Sequence, residues 1–156
     1  MNKNILINIC NKILVKKTNR GGKITYHGPG QRIVYLMIDL NKRKKDVRKF
    51  IDLIELTLIL LLREFEIESK SFPDRVGVWV TKVRGKNLPK EEKIAAIGLR
   101  IKKWITYHGI SFNLNPDLSY YKSINPCGLE NSSVTSLKKI GINLKINEFD
   151  KLFLKY

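Results

Sequence analysis

Residues 93–114, KIAAIGLRIKKWITYHGISFNL, decide the fold class of this chain. They contain two apolar runs, Ile94 to Ile101 and Trp104 to Leu114, separated by the polar pair Lys102–Lys103. This pattern predicts two β-strands joined by a turn. Upstream, residues 47–65 carry apolar side chains at helical spacing, and Asp46 precedes them as a potential N-cap. Strands and helices are mixed without strict alternation, which predicts an α+β fold.

The remaining segments give shorter signals. Thr18 to Gln31 holds four glycines and a proline, which is typical of a loop with special backbone geometry. Thr135 or Ser136 is predicted to cap a short helical turn that ends at Gly141. We further predict strands over 33–40 and 76–80, a polar surface loop over 81–92, an irregular stretch over 115–128 and a second helix from 149.

The size and charge of the chain limit its function. Its 156 residues suffice for one domain, and 30 Lys and Arg against 14 Asp and Glu give a net charge of +16. Such a surface attracts nucleic acid, anionic lipid or an acidic protein. The aromatic residues lie scattered within apolar runs, which argues against nucleic acid. The two cysteines form no C-x-x-C, and no signal peptide or membrane-spanning run is present, so we expect a cytoplasmic protein without a membrane partner.

Cys127 is a candidate nucleophile because it lies between Pro126, which fixes the preceding backbone, and Gly128, which permits close approach. A nucleophilic thiol needs a nearby cation or base, and Lys93, His27 and His108 are candidates. Each of these residues also has a purely structural alternative. Cys127 could be a small buried cysteine, Lys93 a solvated lysine at a strand end, and either histidine a hydrogen-bonded loop residue. His27, His108 and Cys127 lack metal-ligand spacing, so we expect no metal and no cofactor.

Five motifs together closely resemble the signature of the lipoyl(octanoyl) transferases, in the family's order. They are residues 20–31 (RGGKITYHGPGQ), 76–80 (VGVWV), 93–98 (KIAAIG), 108–113 (HGISFN) and 126–128 (PCG) followed by 134–137 (VTSL). The resemblance covers about residue 18 to the end, and the 81–92 segment looks like that of alphaproteobacterial members. It implies a mixed β-sheet with flanking helices, as in the catalytic domain of biotin and lipoate protein ligases.

The resemblance also implies an activity. This family transfers an octanoyl group from octanoyl-acyl carrier protein to a lysine on lipoyl domains of 2-oxoacid dehydrogenases and on the glycine-cleavage H protein. Cys127 matches the acyl-thioester nucleophile, and Lys93 matches the lysine that lowers the pKa of that thiol. The residues that match the acyl substrate's site are Arg20, Gly21, Gly22, Lys23, Ile24, Thr25, Tyr26, His27, Ala96, Ile97, Gly98, Gly109, Ile110 and Ser111.

Family members usually carry a substantial segment before the Arg-Gly-Gly motif, whereas nineteen residues precede Arg20 here. We therefore expect residues 1–156 to form a single octanoyltransferase catalytic domain that is incomplete at its N-terminus. Two alternatives remain, namely a truncated inactive homologue and an ATP-dependent lipoate ligase of the same fold. An adenylating ligase would need nucleotide contacts and would not need Cys127.

Overall fold

The computed structural model describes residues 21–22, 24–124 and 133–156. In chain order the described elements are β1 (Gln31–Tyr35), a 3₁₀ turn (Leu40–Lys42), α1 (Val47–Arg63), β2 (Ile67–Phe72), β3 (Arg75–Val83), β4 (Lys86–Lys102), β5 (Ile105–Asn113), a second 3₁₀ turn (Leu118–Ser123), β6 (Ser133–Val134) and α2 (Ile146–Phe153). Among these residues, no helix is long and apolar enough to cross a membrane.

The strands form one mixed sheet in the order β1-β5-β4-β3-β2, with antiparallel neighbours throughout that path. Strand β6 is the exception, because it pairs in parallel with β4, placing Ser133 beside Glu92 and Val134 beside Lys93. The pairing of β5 with β4 ends at Ala95 and Phe112. With its helices, this sheet confirms the α+β prediction.

An apolar cluster joins the sheet to α1 and α2. Leu58, Leu61 and Leu62 of α1 and Phe149 of α2 are all 0% exposed, and they pack with the buried strand residues Val78, Val80, Ile94, Ala95, Ile110 and Phe112. Helix α1 begins as predicted, because the Asp46 side chain accepts a hydrogen bond from the Lys49 amide at 2.9 Å. Burial of this face therefore fixes the helices on one side of the sheet.

The prediction of a surface loop over 81–92 was wrong. Strands β3 and β4 continue into a hairpin closed by Arg84 and Gly85, whose φ angles of 47° and 75° suit a two-residue turn. Pro89 is tolerated because it lies between Asn87 and Glu92, where the pairing with β3 is irregular. The polar composition of this stretch reflects an exposed hairpin rather than a loop.

Other differences are smaller. Strand β1 begins at Gln31 and ends at Tyr35, and β2 and β6 had not been predicted. Helix α2 begins three residues before Phe149, where Glu148 Oε2 accepts a hydrogen bond from the Lys145 amide at 2.8 Å. The turn over 137–141 is confirmed, since Ser136 Oγ accepts from the Lys139 amide at 3.2 Å and Gly141 has a φ of 85°.

Candidate active site

A cavity of about 230 Å³ lies against β1, β5 and β4 beside the glycine-rich segment. Strand β5 shows why this side differs from the apolar core, since its side chains alternate between the two faces of the sheet. Ile110 and Phe112 belong to the core cluster, whereas Ser111 and Asn113 lie on the opposite face. The cavity is thus built on the face of the sheet that the helices leave uncovered.

Lys93 lies in the cavity wall with its ammonium 5.2 Å from the centre of the Trp79 ring. Trp79 is its antiparallel partner and is fully buried. A second cation, Arg75, packs 4.5 Å from the same ring and 3.9 Å from that of Phe72, and it forms an ion pair with Glu91 at 3.6 Å. The Trp79 ring therefore lies close to two positive charges, those of Lys93 and Arg75, at one edge of the cavity.

Gly77 has no Cβ, and the Lys93 side chain packs in the space that this leaves. A Cβ on Gly77 would lie 2.6 Å from Lys93 Cε and 2.5 Å from the Ala95 carbonyl oxygen, so only glycine fits here. The Gly77 φ of 127° likewise favours glycine. Its amide donates at 2.9 Å to Oε1 of Glu55, a carboxylate from α1 that is 1% exposed. Helix α1 thus holds the backbone over which Lys93 lies.

The chain that follows residues 125–132 returns to the sheet at Lys93. Val134 pairs with Lys93, and the Thr135 amide donates to the Lys93 carbonyl at 2.9 Å. Cys127 itself lies outside the described residues, as do Cys10, Arg20 and Lys23. The described chain therefore places one anchor of the cysteine-containing segment directly beside the predicted lysine.

A buried hydrogen-bond network holds the glycine-rich segment. Gln31 Nε2 donates to Asn113 Oδ1 at 2.9 Å and to the Tyr121 hydroxyl at 2.7 Å, and its Oε1 accepts from the Gly28 amide at 3.2 Å. His27 Nδ1 lies 3.3 Å from the same Oε1. One glutamine therefore connects the loop, β5 and the second 3₁₀ turn.

The hydrogen-bond network extends from Asn113 to Thr135 and from Tyr121 to Tyr26. Asn113 Nδ2 donates to the Thr135 carbonyl at 3.0 Å, and the Tyr121 hydroxyl donates to the Tyr26 carbonyl at 3.3 Å. Tyr26 also stacks on Tyr120 with ring centres 4.7 Å apart. Burial raises the pKa of Tyr121 above its usual value, although the hydrogen bond from Gln31 opposes the rise. The neutral hydroxyl is therefore available as a donor.

The structure brings ten of the predicted substrate-site and catalytic residues to this cavity: Gly22, Thr25, His27, Lys93, Ala96, Ile97, Gly98, Gly109, Ile110 and Ser111. Gly21, Ile24 and Tyr26 do not line it, but the Gly21 amide donates to the Leu99 carbonyl at 3.1 Å. Their roles in binding stay predictions. Ser111 Oγ is buried and has no hydrogen-bond partner within the described part of the chain, so it can serve a bound substrate.

Sequence reasoning missed Gln31 as a site-building residue, together with Asn113, Tyr121 and Arg75. The sequence signal that could have identified Asn113 is its position between the apolar residues Phe112 and Leu114. A polar side chain that is buried in an apolar strand needs a hydrogen-bond partner. For metal binding, the described ranges contain no group of three or more His, Cys, Asp or Glu side chains that could hold an ion.

Comparison with known proteins gives the family to which this fold and its cavity belong. The model of the lipoyl protein ligase A/B catalytic domain matches residues 7–156, and this chain belongs to that family. A protein of Thermoplasma acidophilum, described as a bi-partite lipoate protein ligase, shares the fold with a TM-score of 0.58 at 14% identity, covering 88% of this chain and 53% of that one.

Two curated relatives are similar along nearly the whole chain. The octanoyltransferase of Bartonella bacilliformis is 46% identical over 99% of this chain and 65% of its own length. The octanoyltransferase of a Wolbachia from Brugia malayi is 48% identical over 94% and 70%, respectively. The chain thus spans about two thirds of the length of these relatives, and both confirm the alphaproteobacterial resemblance.

Proposed function

We propose that this chain is a cytoplasmic octanoyltransferase domain. It takes an octanoyl group from octanoyl-acyl carrier protein, holds it as a thioester on Cys127 and passes it to a lysine of lipoyl domains or of the glycine-cleavage H protein. The observation that carries the proposal is that Lys93 lines the cavity and pairs with Val134 of β6. Strand β6 is the first described element after residues 125–132, which contain Cys127. The names of the two curated relatives support the same reaction.

In the first transfer, the Cys127 thiolate attacks the carbonyl carbon of the carrier thioester. A new carbon–sulfur bond forms, the old one breaks, and the carrier leaves as a thiol after taking a proton from the Lys93 ammonium, which leaves Lys93 neutral. A thiolate rather than a thiol is the nucleophile, so a nearby cation that favours the charged form accelerates this step. Lys93 as an ammonium supplies that charge.

In the second transfer, the amine of the acceptor lysine attacks the Cys127 thioester. An amide forms, the Cys127 thiolate leaves, and the attacking nitrogen loses one proton. A neutral Lys93 or His27 accepts that proton, because both line the cavity. The octanoyl chain lies in the cavity against Ile33 and Ala96, which pair with Ser111 and share its face of the sheet, and this apolar surface favours its burial.

The test of Cys127 is the mass of the intact protein after incubation with octanoyl carrier protein. One added octanoyl group is expected on the unmodified chain and on Cys10→Ser, and none on Cys127→Ser. An adduct that survives Cys127→Ser contradicts the nucleophile assignment. Modification of a lipoyl domain that requires ATP and survives Cys127→Ser would instead support a ligase reaction.

The test of Lys93 is the pH dependence of Cys127 alkylation in the Cys10→Ser background. Removing an ammonium near the thiol raises the thiol pKa, and each unit corresponds to about 1.4 kcal/mol. Lys93→Met should therefore move the alkylation profile to higher pH, whereas Lys90→Met, three residues earlier on β4, should not. Superimposable profiles for Lys93→Met and the parent protein would show that Lys93 does not act on the thiol.

A further inference from the structure

Two basic runs that are far apart in the sequence form one surface. Lys42 to Lys45 begins at the last residue of the first 3₁₀ turn, and Arg100 to Lys103 covers the end of β4 and the first residue after it. The Leu40 amide donates to the Trp104 carbonyl at 2.8 Å, and Asn41 Nδ2 donates to the Lys103 carbonyl at 3.0 Å. We call this the basic hairpin surface, formed by Lys42, Arg43, Lys44, Lys45, Arg100, Lys102, Lys103 and Trp104.

Its cations are exposed and lack carboxylate partners. All seven are solvent-exposed, and within residues 21–22, 24–124 and 133–156 none of them forms an ion pair. The neighbouring carboxylates are occupied locally, since Asp39 accepts from the Asn41 amide and Asp46 accepts from the Lys49 amide. The surface therefore keeps a concentrated positive charge for an external partner.

The tip of the β4–β5 hairpin adds an aromatic residue in a costly conformation. Lys103 and Trp104 have φ angles of 51° and 63°, a region that turns usually fill with Asn or Gly. The Trp104 side chain is 37% exposed, and the Lys45 ammonium lies 5.9 Å from its ring centre. A strained backbone that presents a tryptophan among cations is typical of a binding surface, where Trp and Arg often dominate the affinity.

The surface lies on the strands that line the cavity. Gly98 and Gly109 are paired cavity residues, and Lys102 and Ile105 form the last pair of the same ladder. Four residue steps of about 3.3 Å place this end about 13 Å from the cavity. A partner bound here needs a long arm to deliver its reactive group.

We propose that the basic hairpin surface docks the acidic acyl carrier protein that donates the octanoyl group. This inference rests on the proposed function and adds the site of donor binding. The donor carries its acyl group on a long prosthetic arm, which suits a surface remote from the cavity. An acceptor lysine has only four methylene groups, so its domain must lie directly over the cavity.

The test is the affinity of carrier protein for a fourfold charge reversal, Lys44→Glu, Arg100→Glu, Lys102→Glu and Lys103→Glu. The matched control reverses four exposed lysines that lie outside this surface: Lys70, Lys86, Lys138 and Lys151. Both variants change the net charge equally. We expect the Kd of carrier protein to rise at least tenfold for the hairpin variant and less than threefold for the control.

Two further measurements separate docking from catalysis. Formation of the octanoyl adduct from S-octanoyl-pantetheine, which has no protein to dock, should be unchanged in the hairpin variant. Trp104→Gly should weaken carrier binding about threefold or more without lowering the melting temperature, because glycine relieves the positive φ. Lost carrier affinity with an intact small-thioester reaction supports the surface.

Three results would overturn the inference. Equal losses in the hairpin and control variants would show a diffuse charge effect. Weakened lipoyl-domain binding with unchanged carrier binding would make the surface an acceptor site, and weakened DNA binding alone would make it a nucleic-acid site. Failure of the adduct in every protein, with carrier binding still dependent on the hairpin, would refute only the proposed function.

Discussion

Strand β5 has two buried faces that are held by different forces. Ile110 and Phe112 pack in the apolar cluster with the helices and are 2% and 0% exposed. Asn113, which is 4% exposed, lies on the other face and makes directed hydrogen bonds to Gln31 and Thr135. Apolar burial stabilises without strict direction, whereas hydrogen bonds require one geometry. We infer that the helix face sets the stability and the cavity face sets the position of reacting groups.

The largest expected loss of stability comes from the helix face. Leu58→Ala removes a side chain that is 0% exposed and leaves a cavity, which should lower the free energy of unfolding by about 2–5 kcal/mol. Octanoyl transfer per folded molecule should change little. Denaturant unfolding and transfer rates check both, with Leu56→Ala on the exposed side of α1 as the control. A transfer rate that falls with stability would contradict the division between the two faces.

Gly77→Ala should cost about 2–4 kcal/mol because a Cβ there meets both backbone and the Lys93 side chain, in a strained φ region. Unlike Leu58→Ala, it should also slow transfer strongly by displacing Lys93. Gly85→Ala is the matched control, since Gly85 also has a positive φ but has nothing within 4 Å of an added Cβ. If both variants keep full transfer activity, the packing of Lys93 over Gly77 does not matter.

Asn113→Leu should cost about 1–3 kcal/mol because it leaves the Thr135 carbonyl without its side-chain donor and deprives Gln31 of an acceptor. The transfer rate should fall by more than this loss of stability explains, since the glycine-rich segment loses its tie to β5. Adding Gln31→Leu should then cost less than it does in the parent protein, as expected for coupled residues. Fully additive losses would argue against a connected network.

The smallest effect concerns Tyr121 in alkaline solution. Burial raises its pKa, so the folded protein holds the phenolic proton more tightly than the unfolded chain does, whose pKa is about 10. The contribution of Tyr121 to stability is therefore fully present below the pKa of the unfolded chain. It is lost as the pH rises through the higher pKa that Tyr121 has in the folded protein. Tyr121→Phe should flatten the decline of stability above about pH 10. Denaturant unfolding across the alkaline range measures this slope in the parent protein and in Tyr121→Phe, and parallel declines would contradict the effect of burial on Tyr121.

Local signals predicted the elements that depend on neighbouring residues. The Asp46 cap, the break at Lys102–Lys103 and the turn ending at Gly141 all follow from residues within one turn of each other. The distal part of the β3–β4 hairpin was missed because residues 81–92 are polar and none of them is buried, and because its turn, Arg84–Gly85, lacks the usual Asn-Gly pair. Periodicity detects burial, so an exposed hairpin gives little signal.

The candidate site was predictable only in part for a related reason. Lys93 and the glycine-rich segment could be identified from motifs, and the structure places them at one cavity. The Gln31 network could not, because its partners lie 82 and 90 residues away in the chain. A sequence shows that a buried amide needs a partner, but the partner is known only once the strands are paired.

The parallel pairing of β6 has a consequence for the order of folding. The β4–β5 hairpin closes through contacts between near neighbours, whereas pairing Val134 with Lys93 closes a much longer loop and cannot precede β4. Substitutions at Val134 should therefore give low φ-values and accelerate unfolding, while substitutions at Ile97 or Ile110 should slow folding. The pairing of β6 beside Lys93 would then form after the strands that line the cavity have already paired.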